Sequence, residues 1–343
     1  MHPFLSIVIP AYNSQETIIP LLQSIKDSKR VNLKEIEVIV VDDKSKDETG
    51  EKVEKFKVHK VIKLNIIKLK KNSGPAQARN IGVKYAKGKV VLFLDADVLL
   101  YKNTLFEIVR SFKEDPDLFA MTGVWDKKQK SRKFFPKFKA LRDWSYWINE
   151  RDPKNYYYLF STRVAAIDRG LFLRLGGFDT TYKHALVEDI ELTYRIARRY
   201  AVVFNQKAIV HHEFEDFWPV LKKYFWRSFY WSKIYRERKK FDPVTTTSKE
   251  AVTTISAGGV IFLSCLSLLS YLGHLSDLEK IALIGLGVTL LIHLIGVRKF
   301  LWFVAREEGI IFAVKSFFVG IALYIAILAG AASSILNFPK KTN

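Results

Sequence analysis

The sequence predicts an α/β domain, a parallel sheet with helices on both faces, followed by helices that cross a membrane. Three observations carry this. Short β-branched runs alternate with stretches of helical spacing through the first two thirds of the chain. From about Ala251 onward, long stretches hold almost no charge. Between these regions, Trp218 to Lys240 mixes aromatic with basic residues over a helix-length segment. The boundaries predicted are 1–216 for the α/β domain, 217–245 for an amphipathic interfacial helix and linker, and 246–338 for a transmembrane region of about three spans.

The first strand is Leu5-Ser6-Ile7-Val8-Ile9-Pro10, a β-branched run closed by proline. Ile18, Ile19, Leu22 and Ile25 give Glu16 to Lys26 helical spacing. Glu35 to Val41 reads as a second strand, Asp47 to Phe56 as a polar-faced helix, Val61 to Leu69 as a third strand and Ala76 to Tyr85 as a helix. Val90 to Leu94 is a fourth strand, and Lys102 to Lys113 another helix. Ala165 to Arg174 suggests a strand and short helix, Asp189 to Arg198 a helix, and Ala208 to His212 a strand. Open sheets of this kind bind ligands at the carboxyl ends of their strands. Pro10-Ala11-Tyr12-Asn13, Asp42-Asp43 and Asp95-Ala96-Asp97 all fall at such ends, so three polar clusters converge on one rim.

The net charge is +20, from 55 Lys and Arg against 35 Asp and Glu. Such an excess suits a polyanionic partner, and the apolar tail favours an anionic membrane over nucleic acid. No zinc-finger spacing or basic-zipper heptad supports nucleic-acid binding. Cys265 is the single cysteine, so no internal disulfide forms and a reducing compartment is expected. The start of the chain has no basic segment followed by a long apolar one, which argues against a signal peptide. Abundant Lys with scarce Cys and Met hints at a thermophile.

Ala251 to Leu272, Ile281 to Val297 and Ile310 to Leu336 approach spanning length, since roughly 20 apolar residues cross a bilayer. Lys315 interrupts the third. Arg298, Lys299, Arg306 and Lys315 mark the stretch from Arg298 to Lys315 as a basic loop, whereas Gly273 to Lys280 has one Lys. The excess of positive charge on cytoplasmic loops then predicts a multi-pass protein of the cell membrane with a cytoplasmic α/β domain. Three spans leave Lys340-Lys341 outside, which is mildly unfavourable; one re-entrant run is the alternative. The Trp218 to Lys240 segment reads as a helix lying in the membrane interface, with an ordinary packed helix as the competing reading.

Asp95-Ala96-Asp97 ends an apolar strand with two carboxylates. Buried carboxylates this close repel unless a cation sits between them, and hard oxygen ligands suit Mg²⁺ or Mn²⁺ bridging a diphosphate. Alone, the triplet fits solvated loop aspartates or helix caps as well. Glu188-Asp189 alone fits a charged helix N-terminus favoured by the dipole. His211-His212 ends a strand and fits either a polar strand end or a metal site; histidine suits Mn²⁺ better than Mg²⁺.

The motifs taken together resemble family 2 inverting glycosyltransferases. Val8-Ile9-Pro10-Ala11-Tyr12-Asn13 looks like that family's opening, as does Val40-Val41-Asp42-Asp43-Lys44-Ser45-Lys46-Asp47. Asn72 to Asn80 is similar to its N-x-G-x-x-x-A-R-N segment. Asp95-Ala96-Asp97, Gly176-Gly177-Phe178-Asp179 and Glu188-Asp189 follow in the family's order. The resemblance covers about Leu5 to His212, and ordered motifs over that span are specific where single ones are not. It implies a GT-A, Rossmann-like nucleotide-diphospho-sugar transferase domain. It also implies roles. Pro10, Ala11 and Tyr12, with Asn13, would line the nucleoside pocket. Asp42 or Asp43 would hydrogen-bond the base. Arg79 would lie near the diphosphate or Asp95. Asp95 beside Ala96 would reach the ribose, and Asp97, with Asp95 and His211 or His212, would hold the metal. Asp189, paired with Glu188, would be the general base for a single displacement at the anomeric carbon.

Processive members of the family carry Gln-x-x-Arg-Trp beyond the Glu-Asp pair; neither Lys223 to Arg227 nor Arg195 to Tyr200 matches it. The closer resemblance is to enzymes that act on a polyprenyl-phosphate or a lipid-linked saccharide. The expected reaction is transfer of one sugar from a nucleotide-sugar to such a lipid acceptor, with a divalent metal, Mn²⁺ or Mg²⁺. Lys127, Lys128, Lys130 and Arg132, in a basic stretch to Lys139, and Arg227 are candidate acceptor or membrane contacts. The aromatics from Trp144 to Tyr158 fit packing of the domain. A processive polysaccharide synthase and a non-catalytic membrane-bound nucleotide-binding module are the alternatives.

Overall fold

The computed structural model describes residues 2–57, 62–150, 158–181, 186–239 and 247–336. Val61, Tyr156, Tyr157, Lys240 and Lys340-Lys341 lie outside these residues. The described chain packs as two units. One comprises Met1–Lys133 and Asp152–Phe214, the other Phe134–Arg151 and Glu215–Asn343.

The first unit begins with β1 (Leu5–Ala11), α1 (Ile18–Lys26), β2 (Ile36–Asp42), α2 (Thr49–Lys57), β3 (Lys63–Lys68), α3 (Pro75–Tyr85) and β4 (Val90–Leu94). β1, β2 and β4 are almost wholly buried apolar runs, as strands covered on both faces must be. α3 lies close against them: a Cβ on Gly82 would stand 2.4 Å from Val8 Cγ1. Then come β5 (Val98–Leu100), α4 (Thr104–Glu114) and β6 (Ala120–Trp125). After α5 (Phe134–Ile148), which belongs to the second unit, follow β7 (Val164–Asp168), α6 (Arg169–Arg174), α7 (Glu188–Ile196) and β8 (Val202–His212).

The eight strands of the described residues form one sheet in the order β3-β2-β1-β4-β7-β6-β8-β5. The sheet is mixed where the sequence predicts a parallel one. β1 to β4 are mutually parallel, but β7 runs antiparallel to both β4 and β6. The cause is the α5 excursion. The chain leaves the sheet at the end of β6 and re-enters it at the same rim, so β7 must run back. β6 and β8 are parallel, and β5 pairs antiparallel with the end of β8. The carboxyl ends of β1, β2, β4, β6 and β8 therefore share a rim with the start of β7.

The second unit contains α5, α8 (Phe217–Arg238), α9 (Ser248–Leu272), α10 (Ser276–Glu308) and α11 (Ile310–Leu336). α9, α10 and α11 are each long and apolar enough to cross a membrane. Phe135, Phe138 and Leu141 of α5 share a core with Val220, Phe300, Val304, Ala313 and Leu323. Arg142 Nη2 donates to Tyr324 Oη at 2.7 Å, and the guanidinium pairs with Glu150 at 3.3 Å and Glu250 at 3.4 Å. The expected loop from Arg298 to Lys315 is instead helical except at Gly309 (φ 92°), where α10 stops and α11 begins. Arg298, Lys299 and Arg306 belong to the 33-residue α10, about 50 Å long and well beyond a hydrocarbon core of about 30 Å, while Lys315 lies on α11. The three on α10 therefore follow its apolar segment without a break in the helix.

Candidate active site

The rim is built from loops that lock one another. Asn13, in the left-handed region (φ 49°), donates its N–H to Ser45 Oγ at 3.0 Å and accepts from Lys46 N–H at 2.8 Å. This ties the end of β1 to the end of β2. Tyr12 beside it is 44% exposed. Pro10 is half-buried and Ala11 buried.

Asp42 and Asp43 are both buried and hold loop backbone. Asp42 Oδ1 accepts from Ser45 N–H at 2.9 Å. Asp43 accepts from Ser73 N–H and Gly74 N–H, each at 2.8 Å, one on each oxygen. This fixes the turn into α3, where Gly74 sits at φ 84°. Burial raises the Asp43 pKa, opposed by those two bonds and aided by the neighbouring Asp42 carboxylate.

Arg79 is the buried centre of the rim. Its Nη2 reaches Asp95 Oδ1 at 2.6 Å and its Nη1 reaches Glu188 Oε1 at 3.1 Å. Burial lowers the guanidinium pKa, but the charges of Asp95 and Glu188 more than offset that and raise it. The Asp95 end of the triplet and the start of α7 are thereby joined through one cation. Among the described residues, Glu188 Oε2 is buried without a hydrogen-bond partner. Asp189, the next residue, is half-buried in the first turn of α7, where Oδ1 accepts from Ile190 N–H at 2.8 Å.

Asp97 points elsewhere. Its side chain is 53% exposed, and Oδ2 lies 3.5 Å from His212 Nε2. Partial burial raises the Asp97 pKa, but the His212 hydrogen bond and the charges of His212 and Arg163 outweigh it and hold it low. Ala96 between the two carboxylates is buried. His211 and His212 are separated by strand alternation, which sends neighbouring side chains to opposite faces. His211 turns away from Asp97. Its Nδ1 meets Asp126 at 3.1 Å and its Nε2 meets Glu213 at 2.7 Å. With a carboxylate at each ring nitrogen, His211 is a pin, and its pKa is raised by the Asp126 hydrogen bond. Tyr101 Oη donates to Asp126 from the other side.

The basic connector after β6 is clamped to β8. Gln129 donates to His212 O and accepts from Phe214 N–H, both at 2.8 Å, and Lys130 N–H donates to Glu213 at 3.0 Å. Lys128, Lys130 and Arg132 are exposed there, with Lys127 half-buried. Arg227 belongs to the second unit, on α8.

Trp125, Arg163 and Phe214 also stand at this rim and carry no signal in the sequence. Arg163 sits over the Trp125 ring at 4.7 Å and the Phe214 ring at 5.3 Å. The run Ser161-Thr162-Arg163-Val164 reads as any strand entry, and only the antiparallel register of β7 brings it here.

Residues 6–174 match glycosyl transferase family 2. A stretch of 123 residues is 38% identical to the poly(ribitol-phosphate) beta-N-acetylglucosaminyltransferase TarS of Staphylococcus aureus, covering 35% of this chain and 21% of that protein. A stretch of 119 residues is 34% identical to the poly-beta-1,6-N-acetyl-D-glucosamine synthase of Staphylococcus epidermidis, covering 35% and 28%. The chain spans well under a third of the length of either curated relative. Among solved structures, the mannosyltransferase PcManGT from Pyrobaculum calidifontis, in complex with GDP-Man and Mn²⁺, is similar over 99% of this chain and 89% of its own, with TM-score 0.60 and 18% identity. The crystal structure of S. aureus TarS 1–349 is similar over 67% and 64%, with TM-score 0.50 and 24% identity. At these identities the structural likeness shows the shared GT-A fold.

Proposed function

We propose, on the match of residues 6–174 to glycosyl transferase family 2, that the chain is a metal-dependent inverting enzyme. It moves one sugar from a nucleotide-sugar to a polyprenyl-phosphate or other lipid-linked acceptor at the cytoplasmic face of the cell membrane. The observation that carries the reading is the single rim on which Asp97 with His212, the Arg79-bound Asp95, and the Glu188-Asp189 pair come together. The three spanning-length helices support a lipid acceptor, and the basic end of α10 supports the cytoplasmic orientation.

The residues present fit a divalent ion. Asp97 offers an exposed carboxylate oxygen and His212 a ring nitrogen 3.5 Å from it. An oxygen–nitrogen pair suits Mn²⁺ better than Mg²⁺. Asp95 is engaged by Arg79, and among the described residues no group of three or more His, Cys, Asp and Glu side chains is gathered for an ion. Oxygens of a bound donor diphosphate would supply further ligands to such an ion. When bound, the ion neutralises charge on the leaving diphosphate.

The chain's own residues do the rest. Tyr12 offers its ring to the base, and the Asn13–Ser45 lock holds the nucleoside loop. Asp189 takes the proton of an acceptor hydroxyl as oxygen attacks the anomeric carbon and the bond to the diphosphate breaks, with inversion. With an already ionised lipid phosphate, it orients the acceptor. Glu188, bound to Arg79, holds the helix start that carries Asp189.

The test is sugar transfer from a panel of nucleotide-sugars to extracted polyprenyl lipids with Mn²⁺ present. Asp97→Ala and Asp189→Asn are each expected to reduce turnover by about 100-fold or more. Undiminished transfer by either removes that residue's role. The similarity to a poly-beta-1,6-N-acetyl-D-glucosamine synthase favours a second, processive reading. Product sizing decides between them: single additions support the first, a ladder of long glycans the second.

A further inference from the structure

By length and composition α9, α10 and α11 are alike, but within their unit the charged side chains set α11 apart. Tyr324 stands at the middle of α11. Its Oη accepts from Arg142 Nη2 at 2.7 Å and donates to Glu250 Oε2 at 3.0 Å. Arg142 also pairs with Glu150 at 3.3 Å, and Glu150 with Lys249 at 3.4 Å. Arg142, Lys249, Glu150 and Glu250 thus gather at the midpoint of α11. A helix centred across a bilayer carries its midpoint to the hydrocarbon centre, where charged groups are costly.

The same cluster marks where α9 enters the membrane. Lys249 and Glu250 lie in the first turn of α9, and the apolar stretch follows them. Ala251 to Leu272 rises about 33 Å, enough for a core of about 30 Å. From Tyr324 to Leu336, α11 has only about 18 Å left. Starting from the level at which α9 enters, α11 cannot reach the far side.

That last part of α11 also runs beside a charged helix. Ser228 Oγ of α8 donates to Ile327 O at 2.7 Å. Arg236 Nη2 donates to Ser334 Oγ at 2.7 Å and to Ser334 O at 3.0 Å. A Cβ on Gly330 would run into Phe225 O, so the two backbones touch. Along this stretch α8 carries Arg227, Lys233, Arg236, Glu237 and Arg238, too many charges for hydrocarbon. At its other end, α11 starts just after Arg306, Glu307 and Glu308 of α10, and Glu308 pairs with Lys137 of α5 at 3.4 Å. Start, middle and end of α11 therefore all stand at charged side chains. Its outward side at the start is apolar: Ile310, Ile311, Val314 and Phe318 are each more than half exposed. One apolar side with charges along the other fits a helix lying in a membrane interface.

We infer that α9 and α10 form the membrane-crossing hairpin and that α11 lies along one leaflet, with its Ile310–Phe318 side against acyl chains. The leaflet is the one that the basic end of α10 faces. The chain's end then stays on that side, and Lys340-Lys341 joins Arg298, Lys299 and Arg306 there, as the distribution of positive charge favours. The inference goes beyond the transfer reaction and does not depend on it.

The experiment uses the full chain in cell membranes, with Cys265→Ser as background, or Cys265→Ala should that variant not fold. Single cysteines are placed by Glu307→Cys at the end of α10, Asp277→Cys at its start, and Asn343→Cys. A membrane-impermeant maleimide is applied to intact and to permeabilised cells. Asn343→Cys is expected to label under the same condition as Glu307→Cys and opposite to Asp277→Cys. Labelling of Asn343→Cys together with Asp277→Cys overturns the inference. Labelling of Glu307→Cys in intact cells overturns the cytoplasmic orientation proposed above, and leaves this comparison intact. A second measurement reads depth, from nitroxides on Ile311→Cys and Phe318→Cys in phosphatidylethanolamine–phosphatidylglycerol vesicles. A helix along the leaflet puts both at one depth, about 5–10 Å below the headgroups. A crossing helix sets them about 10 Å apart in depth, which overturns the inference. A nitroxide at position 318 shielded from lipid-dissolved oxygen, as by a second copy of the chain, overturns the acyl contact.

Discussion

Arg79 has a side chain only 3% exposed, with one carboxylate on each side. Removing the guanidinium leaves Asp95 and Glu188 charged, close together and poorly hydrated. Breaking a buried pair this way costs about 3–5 kcal/mol. Arg79→Met should therefore lower the thermal unfolding midpoint strongly. Adding Glu188→Gln should restore part of it, since one stranded charge is then removed. Additive losses in the double variant would contradict the shared-cation account. Tyr101 yields a pH prediction at the same scale. Burial, then its hydrogen bond to Asp126, push its pKa from 10.0 up to about 12. The folded chain keeps that proton where the unfolded chain releases it. Its contribution to stability is thus fully present below pH 10 and is lost as the pH rises towards about 12. Ultraviolet titration of wild type against Tyr101→Phe checks it: the difference should be one phenol ionising near pH 12.

Among the elements, α5 stands apart because it is held by both charge and packing. Arg142 joins it to Glu250 of α9 and Tyr324 of α11, while Phe134 meets the Phe312 ring of α11 at 4.5 Å. Arg142→Met leaves Glu150 and Glu250 short of a partner and should cost about 3 kcal/mol, read as a lower unfolding temperature in detergent. An unchanged midpoint would mean that Lys249 and Tyr324 suffice for those carboxylates. α5 also marks where sequence reading stops. β1, β2 and β4 were legible because continuous burial leaves a continuous apolar run. The rim was legible because strand ends concentrate polar residues. In α5, by contrast, Phe134, Phe135, Phe138 and Leu141 lie among Lys133, Lys137 and Lys139. Most of the partners that give these aromatics a core are far along the chain, at Phe300, Val304, Ala313 and Leu323. No local period records such a contact. β5, three residues long, left no pattern, and β6 needed its neighbours to be recognised. The two histidines looked equivalent in sequence; only the facing of β8 separates the one beside Asp97 from the one pinned by Asp126.

For the whole molecule, the division of the chain matters more than its length. The second unit takes Phe134–Arg151 from the middle of the sequence and the rest from after Glu215. A chain ended at Phe214 keeps β1 to β8 but leaves the apolar face of α5 without Phe300, Val304 and Leu323. Such a truncation should associate or precipitate, measured by light scattering. Replacing 134–151 with a short polar linker in the same truncation should restore a monodisperse domain. Equal solubility of the two would show that α5 needs no cover. The same division bears on synthesis. A ribosome finishes α5 roughly 145 residues before it reaches the middle of α10, and at about 5–20 residues per second the wait is roughly 7–30 s. During that interval a helix bearing Phe134, Phe135 and Phe138 has emerged while the helices it packs on are still unmade. Nascent chains should need either a chaperone or the bilayer surface itself to shield α5 until translation brings α10 and α11 into place.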